Sequence, residues 1–328
     1  MKLRAITILS CAAVAAAALA GCSGTPGDSS SSATDASTDA TSAGSGAASS
    51  DGSASSSSDP IRVVASTNVW GDLAAAVGGD AVTVTSIIDD PDRDPHEYEA
   101  DARNQLALSD ADVVIENGGG YDDFMDTMLS ASDNAGAVVI NAVEVSGKEA
   151  EGGEELNEHV WYDFPTVQAV IDDIESSYAQ LDPDAASTFS ANAEDLRSRI
   201  DALITREGEL ERTYAGESVA ITEPVPLYLL EAIGLVNATP DAFSEAIEED
   251  TDVAPAVLQE TLALFSSKAV SLLAYNEQTT GPQTEAVLAA ANENGIPVVP
   301  VTETLPSGTD YVGWMSDNLD AIAAALGG

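Results

Sequence analysis

Short runs of β-branched residues alternate with helical patterns over most of this chain, and this alternation restricts the fold more than any other feature. Strands are predicted at 61–67, 82–88, 111–118 and 137–142, and in a second set at 218–222, 269–276 and 297–301. The segments between them carry apolar residues three or four positions apart, as amphipathic helices do. Because strands that alternate with helices form parallel sheets, the sequence predicts an α/β fold with two lobes, each with a mainly parallel sheet flanked by helices.

The segment between the two sets of strands predicts one long linking helix over 183–215. Its apolar residues recur at helical spacing: Phe189, Leu196, Ile200, Leu203 and Leu210. Two shorter helices broken near Gly208 are the alternative, since glycine is a weak helix former. The predicted lobes are therefore an N-terminal one at 60–182 and a C-terminal one at 216–328.

The first 59 residues predict export and a flexible tether. Two cations, Lys2 and Arg4, precede an apolar run, which is the layout of a signal peptide. The signal, residues 1–21, ends in "LAGC", which resembles the lipobox of bacterial lipoproteins and implies a lipid on Cys22; a plain signal with a chance cysteine is the alternative. Residues 22–59 lack large apolar side chains and are predicted to be a disordered Ser/Ala/Asp-rich tether. The expected location is the outer face of the bacterial cytoplasmic membrane.

The charge of the chain excludes some partners without identifying one. There are 11 lysines and arginines against 56 acidic residues, a formal net charge of −45. Nucleic acid and anionic lipid would be repelled by such a surface. A solvated acidic surface or adaptation to salt explains the same composition.

Histidine occurs only twice, and both histidines lie where a ligand site is expected. His96 stands in the loop after the strand at 82–88, and His159 precedes a helix-like segment. Glu223 and Glu303 follow the strands at 218–222 and 297–301. Open parallel sheets bind ligands beyond the carboxyl ends of their strands. Surface histidines and helix-capping carboxylates are the alternative, and three neighbouring acids are rival ligands: Glu97, Glu99 and Glu158.

Several of these segments together resemble one family. "DPHEYE", "NEHVWYD", "AITEPVPLYLLEAIGL" and "VTETLPSG" resemble the substrate-binding lipoproteins of zinc and manganese ABC importers, and the resemblance runs from about Ile61 to the C-terminus. It implies two α/β lobes joined by a long helix and a single metal site whose ligands are His96, His159, Glu223 and Glu303. It also implies a monomer that is not an enzyme, carries one Zn²⁺ or Mn²⁺ ion as cargo, and delivers that ion to an ABC permease.

The ligand set leaves the metal open. Zinc-type members often have histidine as the third ligand and a histidine-rich loop before the second, whereas this chain has Glu223 and an acidic loop. An oxygen-rich set favours Mn²⁺ or Fe²⁺, yet Zn²⁺ normally binds nitrogen and oxygen donors more tightly than Mn²⁺ does. Three residues are candidates for orienting the ligands: Asp94, Trp161 and Asp163.

Two other functions fit parts of the pattern. A metal-dependent hydrolase would need an open coordination position and a separate base, for which Glu97 is a candidate. A binding protein of the same fold for a siderophore or corrinoid would need a site for an organic ligand.

Overall fold

The computed structural model describes residues 59–90, 98, 101–150 and 156–327. The predicted signal peptide, Cys22 and the predicted tether up to residue 58 lie outside the described residues. So do His96 and two of the rival ligands, Glu97 and Glu99.

The first half of the described chain forms a four-stranded sheet with helices around it. The elements are β1 (Ile61–Thr67), α1 (Asn68–Gly78), β2 (Val82–Ile88), α2 (Ala102–Asp110), β3 (Val113–Glu116), α3 (Asp123–Ala131), β4 (Val138–Asn141), α4 (Ala142–Ser146) and α5 (Phe164–Leu181). The strand order is β2-β1-β3-β4 and every pairing is parallel. Val63 on the central strand β1 lies opposite Val84 of β2 and Val113 of β3. Buried β-branched residues therefore form the middle of this sheet.

The second half repeats the plan after the long helix α6 (Ala186–Tyr214). Its elements are β5 (Ser218–Ile221), α7 (Leu227–Ala232), β6 (Val236–Asn237), α8 (Asp241–Glu248), α9 (Pro255–Ser266), β7 (Leu273–Asn276), α10 (Pro282–Asn294), β8 (Val298–Val301) and α11 (Tyr311–Ala325). The strand order is β6-β5-β7-β8, again parallel throughout the described pairings. The prediction of an α/β fold with two parallel sheets is thus confirmed.

Two details of the second half differ from the sequence prediction. The strand predicted at 269–276 begins only at Leu273. Lys268, two residues beyond the end of α9, has a left-handed conformation (φ 55°), and Val270 and Leu272 after it are buried in a loop. The two-residue strand β6 and the helix α8 were not predicted, because β6 is too short to show a period and α8 lies in an acidic run.

Helix α6 runs through Gly208 without a break and is about 43 Å long at 1.5 Å per residue. Its buried face carries the residues that the spacing indicated, among them Phe189, Ile200 and Leu210. It contacts α1 and α5 of the first half and α11 of the second half. The helix therefore packs against both lobes along its length.

The two lobes share one apolar core. The largest cluster of buried apolar side chains extends from Ile61 in β1 to Ala323 in α11. The described part of the chain contains no helix with both the length and the hydropathy needed to span a bilayer.

Candidate metal site

His159 is held in one defined ring orientation. It is fully buried and stands just before a 3₁₀ turn at Val160–Tyr162 that leads into α5. The Asn157 Oδ1 lies 2.8 Å from His159 Nδ1 and accepts from the His159 backbone N–H at 3.1 Å. The Asn157 amide nitrogen donates to the Pro224 carbonyl at 3.1 Å, which fixes the amide orientation. An amide oxygen only accepts, so Nδ1 carries the proton and Nε2 carries the lone pair that a metal needs.

Glu223 follows β5 and is buried at 3% exposure. Among the described residues its Oε2 has no hydrogen-bond partner. Burial raises the pKa of this carboxyl to about 9, and the nearby carboxylates of Glu248 and Glu303 add to the shift. A carboxyl group in this position stays charged only when a cation or donor approaches it.

Glu303 follows β8 and is held from both lobes. The Tyr121 hydroxyl, from the first half of the chain, donates to Glu303 Oε2 at 3.2 Å. The Asn276 amide, at the end of β7, donates to Glu303 Oε1 at 2.8 Å. The Glu303 backbone N–H in turn donates to the side-chain carbonyl of Gln278. These contacts fix the carboxylate of a side chain that is only 1% exposed.

The three sequence-predicted ligands that the structure describes lie in one region, but among the described residues the donor atoms that lie within 4.8 Å of one another are those of Glu158, His159 and Glu248. The Tyr121 ring, bonded to Glu303, lies 5.8 Å from the His159 ring, centroid to centroid. Glu223 lies close enough to Glu303 for that charge to act on it. An imidazole from the first half and two carboxylates from the second half therefore lie in the same region, with Tyr121 between His159 and Glu303. His96 lies outside the described residues.

A carboxylate that sequence reasoning missed also lies at this site. Glu248 Oε1, at the end of α8, lies 3.4 Å from His159 Nε2. Donor atoms of Glu158, His159 and Glu248 are all within 4.8 Å of one another, so the rival ligand Glu158 reaches the same place. Imidazole and carboxylate donors suit first-row divalent metals. Glu248 was missed because it does not follow a strand directly and is one of many acids in "EAIEEDTD".

The residues that orient the ligands differ in part from those expected. Trp161 packs edge-on against the imidazole, with ring centroids 5.0 Å apart. Asp163 instead caps α5, accepting from the Thr166 backbone N–H at 3.1 Å, and forms an ion pair with Lys148 at 3.3 Å. Asp94 lies outside the described residues. The orienting groups that the structure shows are the side chains of Asn157, Tyr121 and Asn276.

Tyr121 reaches the site because of the glycine run before it. Gly119 has a left-handed backbone (φ 73°), and a Cβ there would lie 3.0 Å from Val143 and 3.2 Å from Glu158. Only glycine fits such a position without strain. The segment "GGGYDD" was therefore a signal that a tight turn places the tyrosine at a defined point.

An acidic cleft with a volume of about 730 Å³ opens beside the ligands. Glu158 and Glu248 belong both to its wall and to the cluster around His159. Its described lining contains one lysine, Lys148, and several carboxylates: Glu149, Glu158, Glu231, Asp241, Glu245, Glu248 and Glu249. A cleft lined by one sign of charge attracts counter-ions, here cations.

Known proteins share this sequence pattern and fold. The family model described as ZnuA, zinc-uptake complex component A, periplasmic, matches residues 63–325. The manganese-binding lipoprotein MntA of Halalkalibacterium halodurans is 26% identical over 227 residues, covering 63% of this chain and 73% of that protein.

Two solved structures show the same fold. The SBP FpvC from Pseudomonas aeruginosa, in complex with Mn²⁺, has a TM-score of 0.67 at 21% identity and covers 81% of this chain and 98% of its own. The periplasmic zinc-binding protein TroA from Treponema pallidum has a TM-score of 0.66 at 21% identity, covering 81% and 99%. Because the ZnuA family model spans most of the chain, this protein belongs to that family, the substrate-binding components of zinc and manganese ABC importers.

Proposed function

We propose that this protein captures one divalent transition-metal ion between its lobes and delivers it to an ABC permease for import. The proposed ligands are His96, His159, Glu223 and Glu303. The observation that carries the proposal is that His159, Glu223 and Glu303, from opposite halves of the chain, are each less than 4% exposed and that Glu248 lies beside His159 and acts on Glu223. Buried carboxylates are unfavourable unless they are paired with donors or a cation.

The role is capture rather than catalysis. Two neutral imidazoles and two carboxylates neutralise a divalent ion, which allows it to be enclosed away from water. The tyrosine and amides around the ligands fix their geometry, as outer-shell groups do at metal sites. The metal-dependent hydrolase alternative predicts turnover of ester, phosphate or peptide substrates by the loaded protein, and such turnover would replace this proposal.

Attachment to the membrane completes the proposed function. The relative MntA is named a lipoprotein. We place a lipid on Cys22, with the tether at 22–59 holding a monomeric binding protein at the outer face of the cytoplasmic membrane near its permease. Metabolic labelling with a fatty-acid analogue tests this, and loss of the label in Cys22→Ala is the expected result.

Metal binding is tested by calorimetry and elemental analysis on protein that lacks residues 1–22. We expect one Mn²⁺ or Zn²⁺ ion per chain, and a loss of affinity of at least about tenfold in His159→Ala, His96→Ala and Glu303→Gln. Glu293→Gln, which removes an exposed charge on α10, is the matched control and should bind as the unmodified protein does.

Retention of one tightly held ion by both histidine variants would refute the ligand assignment. Native mass spectrometry of the purified protein tests the third candidate, since a co-purified mass of several hundred daltons would indicate a siderophore or corrinoid instead of an ion.

A further inference from the structure

Helix α8 is built so that one of its carboxylates faces the metal site. Phe243 and Ile247, four residues apart, anchor the helix in the apolar core. Ser244 and Glu248, also four apart, share the adjacent face, and Ser244 is buried. Glu248 is therefore directed inward, while its neighbour Glu249 is exposed at the rim of the cleft.

The spacing between Glu248 and His159 is that of two ligands on one ion. Two donor atoms that each lie about 2.1 Å from a cation are about 3.0 Å apart at a right angle and about 3.4 Å apart at a tetrahedral angle. The distance from Glu248 Oε1 to His159 Nε2 is 3.4 Å. Asn157 places the lone pair of His159 on Nε2, so two electron-rich atoms face each other across this distance.

An independent observation comes from Glu223, which follows β5. Glu223 is 3% exposed, its Oε2 has no hydrogen-bond partner among the described residues, and the charge of Glu248 is close enough to act on it. A buried carboxylate oxygen that has no hydrogen-bond partner among the described residues and lies near a second carboxylate indicates a cation-binding position.

The position of Glu248 also conflicts with the stability of its own helix. The last turn of a helix carries a partial negative charge, which disfavours acidic residues. Helix α8 nevertheless has Glu245, Glu248 and the adjacent Glu249 at this end. Acidic residues that destabilise a helix end in this way are expected where the function requires them.

We propose that Glu248 is a further metal-binding residue and that its carboxylate shifts the cargo preference towards cations that take five or six mainly oxygen donors. Mn²⁺ and Fe²⁺ are of this class, whereas Zn²⁺ is held by four ligands in most protein sites. This inference rests on the proposed function, since it assigns one more ligand to the same site.

The test compares three variants by calorimetry with Mn²⁺ and with Zn²⁺. Glu248→Gln removes the charge, Glu248→Asp keeps the charge but withdraws it by one methylene, and Glu249→Gln removes an adjacent charge at the rim. We expect Glu248→Gln to weaken Mn²⁺ binding by at least about tenfold and Zn²⁺ binding less. Glu249→Gln should change either affinity by less than about threefold.

Each outcome supports or contradicts the role proposed for Glu248. Equal, small effects of Glu248→Gln and Glu249→Gln would overturn the proposal and leave Glu248 as part of a general negative potential. Weakened Mn²⁺ binding by Glu248→Asp would support a direct ligand, and unchanged binding would oppose it; this variant decides if the glutamine variant fails to fold. Equal tenfold losses for both ions would keep Glu248 as a ligand and overturn the preference. Absence of metal binding by the unmodified protein would instead refute the proposed function itself.

Discussion

Single side chains decide whether the candidate ligands are usable, and most of those side chains carry no signal in the sequence. Asn157 sets the tautomer of His159, while Tyr121 and Asn276 hold the two oxygens of Glu303. The candidate ligands could be proposed from the sequence because histidine is rare and because Glu223 and Glu303 follow strands. The partners of Glu303 could not, because they come from positions 27 and 182 residues away along the chain.

At this scale, Tyr121→Phe tests the outer shell of the site. Loss of the hydroxyl removes the hydrogen bond to Glu303 Oε2 and frees that carboxylate to turn. We expect metal affinity to fall about tenfold, since outer-shell groups contribute this much at metal sites. Calorimetric titration with Mn²⁺ is the measurement.

Tyr178→Phe is the control for this prediction. Tyr178 is also fully buried and donates one hydrogen bond, to the Ala74 carbonyl at 3.3 Å, within the first lobe. Tyr178→Phe should lower the free energy of unfolding about as much as Tyr121→Phe does, without changing metal affinity. Equal affinities for the two variants would show that Tyr121 does not orient Glu303.

Among the helices, α6 carries an acidic side chain on its buried face, where a charged group is unfavourable. Glu207 lies on its buried face at 5% exposure. Burial, together with a smaller effect of the Asp163 carboxylate at the start of α5, raises the pKa of this carboxyl to about 8. Its charge also acts on the buried Tyr311 hydroxyl of α11. The linking helix therefore carries a proton that it loses in mildly alkaline solution.

Glu207 makes stability depend on pH in a defined direction. Its folded pKa lies above the value near 4.5 expected for the unfolded chain, so the folded protein holds one more proton between these values. The stabilisation is complete below about pH 4.5 and is lost as the pH rises towards 8. We expect the free energy of unfolding to fall by about 2–4 kcal/mol from this group over that window, and Glu207→Gln to remove this part of the slope.

Chemical denaturation of metal-free protein between pH 5 and pH 9 is the measurement. Glu194→Gln, an exposed position on the same helix, is the matched control and should leave the slope unchanged. Identical slopes for Glu207→Gln and the unmodified protein would contradict the assignment of this proton to Glu207.

At the scale of the whole molecule, the lobes are held together by directed hydrogen bonds as well as by a shared core. The Asn68 side chain, at the start of α1, bonds both the carbonyl and the N–H of Leu305 at 2.9 Å. The Tyr311 backbone N–H donates to Asp72 at 2.9 Å, and its hydroxyl donates to the Trp161 carbonyl at 2.6 Å. With α6 packed along both lobes, these contacts oppose a wide opening.

Small-angle scattering tests this rigidity. We expect the radius of gyration of protein lacking residues 1–58 to change by less than about 1 Å on addition of Mn²⁺, as for a preorganised binder. Asn68→Ala, which leaves both backbone groups of Leu305 unpaired, should lower stability by about 1–3 kcal/mol and enlarge that change.

Asn192→Ala is the control for the inter-lobe contact. It removes one side-chain hydrogen bond, to the Val77 carbonyl at 3.0 Å, between α6 and the first lobe. It should lower stability without altering the scattering change. A large change in dimensions of the unmodified protein on metal addition would contradict a rigid pair of lobes.

The sequence by itself determined the α/β class, the long helix and the candidate ligands at strand ends, because these depend on local periodicity and on the polarity of neighbouring positions. Tertiary structure alone decided that Glu248 stands beside His159 and that Tyr121 reaches Glu303. Those contacts join residues 89 and 182 positions apart, and no local pattern distinguishes Glu248 from the other acids of a chain that has 56 acidic residues. The packing of α8 and of the two lobes determines which of these acids lies at the site, because only the folded chain determines which carboxylate is buried away from water.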